Sequence, residues 1–262
     1  MTTPYDRGVQ AYNGSKYEEA ANQFGQAIQI NPTSNAFAWR GVCYEKLGKY
    51  KEAIQDYDKA IELDPKNAVA YNNRALVNRT QFRKNAEALK DFSKAIELDP
   101  KMVDAYNNRA ILFNIFLDPG KAIEDINQAI QLNPSYWTLY STLANIQLAQ
   151  GKYPEAEYNA RYCVDKNPHA PRGYFVIAKV LEYKQEYRTA IKTIEHYLTL
   201  NHNDAMLVEE AKLLMNNLKR RAWMSHRLLW IARLKNSEDW CPMSALPPEI
   251  IRHIILILDG QD

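Results

Sequence analysis

Residues Ala88–Ala110 read ALKDFSKAIELDPKMVDAYNNRA, and the centre of this stretch is Asp99-Pro100. Proline has no N–H to donate, and it pushes the residue before it out of the helical region, so one helix must stop at Asp99. Before the break, Ala88, Phe92 and Ala95 are spaced by four and three, which puts them on one helical face. Small residues there let another helix approach closely, while Phe92 fills the gap between neighbours. After the break comes a second helix with its own pattern, Asn107-Asn108-Arg109-Ala110.

Working outward, the same break recurs at Asn31-Pro32, Asp64-Pro65, Asn133-Pro134 and Asn167-Pro168, at intervals of 33 to 35 residues. An interval that regular marks a repeat array. An alanine precedes each proline by twelve residues (Ala20, Ala53, Ala88, Ala122, Ala156), and a second small residue by five (Ala27, Ala60, Ala95, Ala129, Cys163). Between them lie Phe24, Tyr57, Phe92 and Ile126, with Ala160 breaking the run. The first helix of each block carries Gly8, Gly41, Ala75, Ala110, Ala144 or Ala178 at one position, and Ser15, Gly48 and Gly151 fall at the expected turn between helices.

Period, small residues, aromatics and closing proline together resemble the tetratricopeptide repeat family. The resemblance implies an all-α fold, a right-handed α-solenoid of six helix pairs whose first helices line a concave peptide-binding groove. The blocks are placed at 1–34, 35–67, 68–102, 103–136, 137–170 and 171–203. The third has one extra residue between Arg79 and Asn85, and the sixth ends in Asn201-His202 without proline, as a terminal repeat does. A helix pair cannot bury both faces alone. Residues 204–235, with an apolar stripe through Leu207, Ala211, Leu214, Leu218, Ala222, Leu229 and Ala232, are expected to cap the array as one long helix or two shorter ones.

Arg7, Arg40, Arg74 and Arg109 share one repeat position and invite two readings, a basic ladder for an acidic ligand or structural ion pairs. Asp56, Asp91 and Asp125 follow Arg40, Arg74 and Arg109 in the second helix of the same block. The later blocks lose both partners together, with Leu143 and Asn159 in one and Ile177 and Thr193 in the next. Joint loss favours structural pairs, because a partly buried charge left alone is costly. The exposed face of the first helices then offers Tyr5, Tyr12, Asn13 and Trp39 at one end, and Asn72, Asn73, Arg79, Asn107, Asn108, Asn114 and Asn145 beyond. An asparagine amide both donates and accepts, so a row of them can hold extended peptide backbone without selecting side chains. This groove is similar to the asparagine-lined one of the repeat domain in O-linked N-acetylglucosamine transferase. It departs from the carboxylate clamp of chaperone-docking adaptors, since Tyr5, Val9, Val69 and Asn73 stand where that clamp has its Lys, Asn, Lys and Arg. A protein or peptide ligand is expected, and an acidic chaperone C-terminal tail is not.

With a net charge of +2, 46% hydrophobic and 24% charged residues, the chain reads as an ordinary globular one. No run of 18 apolar residues and no apolar leader is present, and the three cysteines show no metal-ligand or disulfide spacing, so a cytoplasmic protein is expected, including one delivered into a host cell. Lys212, Lys219, Arg220, Arg221, Arg227, Arg233 and Lys235, with Trp223 and Trp230 among them, read as the solvated back of the capping helix, not as a nucleic-acid or membrane surface. No Gly-rich phosphate loop occurs and the five histidines have no metal spacing, so neither an enzyme nor a cofactor is expected. The final segment, 236–262, carries Leu246, Pro247, Glu249, Ile250 and Ile254 in an order that resembles the start of an F-box. The segment is too apolar to be left in water and is expected to dock back on the capping helix; the resemblance implies an alternative, an adaptor or effector recruiting a Skp-type ubiquitin-ligase component.

Overall fold

The computed structural model describes residues 2–116, 118–200 and the helix 205–236, whose side chains are described from 207 to 225. The segment 237–262 lies outside the described residues, and with it Cys241 and the F-box-like Leu246, Pro247, Glu249, Ile250 and Ile254. The described residues form helices and no strand, and fall into two compact units that divide between Pro168 and His169.

The first unit holds five antiparallel pairs: α1 (Pro4–Asn13) with α2 (Tyr17–Ile30), α3 (Ser34–Lys46) with α4 (Tyr50–Leu63), α5 (Ala68–Thr80) with α6 (Asn85–Leu98), α7 (Val103–Ile115) with α8 (Pro119–Leu132), and α9 (Trp137–Ala149) with α10 (Tyr153–Lys166). Within this unit the second helix of each pair packs on the first helix of the next, which makes the fold an α-solenoid. In the second unit α11 (Pro171–Tyr183) pairs with α12 (Tyr187–Thr199), and α13 (Ala205–Asn236), a single continuous helix, lies against α12. Ala211, Leu214 and Leu218 of α13 are buried, on the stripe expected to cap.

The residue before each repeat-closing proline of the first unit ends its helix in extended or near-extended backbone, from Asn31 (φ −149°, ψ 102°) to Asn167 (φ −138°, ψ 95°). Turns inside the pairs are closed by an N–H reaching back five residues, as Lys16 to the Ala11 carbonyl and Lys49 to the Tyr44 carbonyl, 2.9 and 2.8 Å. The third block's extra residue makes this ring one residue longer, Lys84 N–H to the Asn78 carbonyl at 2.9 Å. Left-handed backbone occurs at the turn glycines Gly48 and Gly151, but also at Ser15, Arg83 and Gln185 (φ 58°, 53° and 64°). Gly41 shows why the first helix needs a small residue. A Cβ built there would stand 2.7 Å from the fully buried Tyr57 ring, closer than atoms pack.

Candidate functional site: a neutral groove beside a line of ion pairs

The arginines lie between helices. Arg40 donates through Nε and Nη2 to both carboxylate oxygens of Asp56 at 2.8 and 2.7 Å, and Arg74–Asp91 and Arg109–Asp125 repeat this two-pronged geometry at 2.7–2.8 Å. Each carboxylate is nearly buried, and an aromatic ring one turn back in the first helix (Phe37, Tyr71, Tyr106) lies 5.5–5.8 Å from the guanidinium carbon. The carboxylate bonds hold all three guanidiniums above their ordinary pKa, against a smaller opposing effect of burial. The structural reading of these residues therefore holds. Arg7, with no Asp available, donates instead to the Gln23 side chain at 2.8 Å and the Thr2 carbonyl at 2.9 Å.

With these cations engaged, the expected groove residues can be placed one by one. Tyr12 and Trp39 meet edge to face with ring centroids 5.2 Å apart, Trp39 stacks on the buried Phe24 at 6.0 Å, and Tyr5 meets the same Phe24 edge to face at 5.5 Å. Tyr5, Tyr12 and Trp39 line a cavity of about 400 Å³ with Asn35, Ala38, Val42, Asn67, Val69 and Asn73. None of those nine residues is charged. Burial raises the pKa of both tyrosines, so their hydroxyls stay neutral. Asn13 is exposed and does not line that cavity.

The asparagines divide into two kinds. Asn73, Asn108 and Asn114 are half-buried. Asn73 accepts from the Asn72 amide at 3.2 Å, and among the described residues neither the Asn73 amide nitrogen nor any side-chain atom of Asn108 is hydrogen-bonded. Asn72 and Asn107, expected on the open face, are instead buried at 9% and 8% exposure. Their Oδ1 atoms meet no donor among the described residues. The cause is helical geometry: Asn72 and Asn107 stand one position before Asn73 and Asn108, about 100° round the helix, which turns them toward the helix interfaces. Asn145 donates to the Ser141 carbonyl at 3.2 Å and so is partly spent within its own helix, while Arg79 is half-buried. Asn35, Ala38, Val42, Asn67 and Val69 line the cavity without being among the expected groove residues. Asn67 is a helix N-cap whose Oδ1 accepts from Ala70 N–H at 3.0 Å, and its role as cavity wall shows only in three dimensions.

In the second unit, Lys219 faces Glu195 at 3.9 Å and Arg221 faces Glu182 at 3.4 Å, so part of the basic run on α13 is paired. No helix among the described residues is long and apolar enough to cross a membrane.

Tetratricopeptide repeat models match residues 34–67, 56–90 and 116–171. The chain carries tetratricopeptide repeats over these residues. Over 138 residues it is 25% identical to the Hsp70-Hsp90 organizing protein of Triticum aestivum, a stretch covering 52% of this chain and 24% of that relative, so it spans about a quarter of that relative's length. Among solved structures, a tetratricopeptide repeat protein from Parabacteroides merdae ATCC 43184 aligns over 96% of both chains at 18% identity with a TM-score of 0.67. YrrB, described as having an unusual peptide-binding site, aligns over 74% of this chain and 99% of its own at 21% identity and TM-score 0.54. The Cut9–Hcn1 structure of the APC/C aligns over 82% of this chain and 42% of that one at 16% identity and TM-score 0.72. At such identities these likenesses concern the fold.

Proposed function

We propose that this repeat protein is a non-catalytic scaffold that holds an extended segment of a client protein in the groove of its first helices. Asn73 and Asn108 grip the peptide backbone, and the aromatic cavity beside Asn73 takes an apolar side chain. The observation that carries this reading is the tandem Asn-Asn at one repeat position in two successive blocks, with the Asn73 amide nitrogen and the whole Asn108 amide open to a ligand. The buried members of the two pairs support it. An unmet buried carbonyl costs on the order of 1–3 kcal/mol, and local rules are broken in this way most often where function requires it. Asn72 and Asn107 hold such a carbonyl at the same position, which favours a role for the tandem pairs beyond the fold.

The neutral lining of the cavity favours an uncharged client segment. The wheat relative is named for organizing Hsp70 and Hsp90, but an acidic chaperone tail would find no cation among the residues that line this cavity. Cys43 and Cys163 are buried and free, and burial pushes both thiols up to about 11, which suits a protein working in a reducing compartment such as the cytoplasm.

The test uses an extended peptide selected from a random displayed library against the intact chain. One lost hydrogen bond is worth about 0.5–1.5 kcal/mol net, so Asn73→Ala with Asn108→Ala should weaken binding by roughly five- to a hundredfold. Circular dichroism should show the helices unchanged, since alanine favours helix over asparagine. Raising salt should change the affinity little. Equal affinities for the two proteins would assign the amides to solvated surface and refute the reading.

A further inference from the structure

The repeat supplies its own comparison at the arginine position. In Arg74 the third arm of the guanidinium, Nη1, donates to Asp58 of the preceding block at 2.7 Å, and in Arg109 it donates to Ser93 of the preceding block at 3.2 Å. Asp58 and Ser93 hold the same place, seven residues before the closing proline, and for Arg40 that place is Gly25. A Cβ built at Gly25 meets only Arg40 Nη1, at 3.8 Å, and no group among the described residues bonds that nitrogen. The space opens into a cavity of about 430 Å³ that shares no residue with the aromatic one. Its wall is mostly polar: Asn22, Gln26 and Gln29 line it together with Arg40, and the lining Lys49 and Glu18 balance in charge.

We infer that this cavity is a second binding site, in which Arg40 Nη1 receives the carboxylate of an Asp or Glu side chain from a bound protein segment. That carboxylate takes the place Asp58 fills for Arg74. The amides can donate to its other oxygen and bond the peptide flanking it. Since two arms of Arg40 are already committed to Asp56, the guanidinium is fixed in orientation and only the third arm is offered. The site is independent of the groove and stands or falls separately from it.

The test follows the Arg side-chain Nε–H signals of the intact chain by nuclear magnetic resonance during titration with sodium acetate, and separately with N-acetylglutamate N-methylamide, at fixed ionic strength. One charge-assisted hydrogen bond corresponds to half-saturation on the order of tens of millimolar. The Arg40 signal should saturate while those of Arg74 and Arg109 stay still, and the capped glutamate should bind more tightly than acetate. Gly25→Asp should abolish the Arg40 response by supplying the carboxylate from within, whereas Gly25→Ala, which leaves Nη1 open, should keep it. Unmoved Arg74 and Arg109 signals in both variants report that the fold is intact. An Arg40 response no different from those of Arg74 and Arg109, or one that persists in Gly25→Asp, would overturn the site. Equal binding of acetate and capped glutamate would overturn the protein segment as its source.

Discussion

Block four and block five solve one packing problem by opposite means. In block four, Arg109 joins three helices, bonding Asp125 on its own second helix and Ser93 on the preceding one. In block five the same position is Leu143, buried in an apolar cluster with Ala110, Ala122, Ile126, Ala129, Leu139 and Ile146. The second helix changes in step: Asn159 stands in for the aspartate and donates to the Gln147 side chain at 2.8 Å and the Glu155 carbonyl at 3.1 Å. Either arrangement fills the joint and satisfies its polar atoms. A mixture of the two would do neither, which is why the partners change together.

The most damaging way to break the comparison is Leu143→Arg. It buries a guanidinium opposite Asn159 and empties the apolar cluster, and it should destabilise the first unit by about 3–5 kcal/mol, read from urea unfolding. Next in size is Arg109→Leu, which leaves the nearly buried Asp125 without its cation. The cost should be about 2–3 kcal/mol, below the fully buried case because the arginine is one-fifth exposed. Arg109→Leu combined with Asp125→Asn sharpens the comparison, since it gives block four the pair found in block five. That double variant should lie within about 1 kcal/mol of wild type, because exchanging a satisfied ion pair for matched apolar and neutral groups is close to neutral. A double variant as unstable as the single one would mean that the ion pair is itself needed, beyond its being satisfied.

Most of the fold could be read from the chain, because backbone rules wrote it there. The Asp/Asn-Pro breaks, the small residues at Ala88 and Ala95, and the joint loss of Arg and Asp each have a local physical cause. Readings failed where the cause lay in a neighbouring block or in helical phase. Asn72 and Asn73 are alike in sequence, and only the rotation of one residue sends the first inward. The second partner of Arg74, Asp58, belongs to another helix pair, so in-block spacing does not point to it. Arg83 and Gln185 take left-handed turns without the glycine that would announce them. Asn67 reads as a helix cap and does double duty as a wall of the aromatic cavity.

The account's central claim for the groove is that the fully paired Arg74 and Arg109 serve the scaffold, while the groove amides serve the client. The most direct measurement sets two variants side by side against one selected peptide: Arg109→Leu/Asp125→Asn, which removes a charge pair, and Asn73→Ala/Asn108→Ala, which removes the free amides. The charge exchange should leave affinity within about twofold of wild type, a difference of roughly 0.4 kcal/mol, while the amide variant should lose about five- to a hundredfold. The reverse pattern, with affinity lost through the charge exchange and kept without the amides, would contradict the claim and make the arginines the binding ladder.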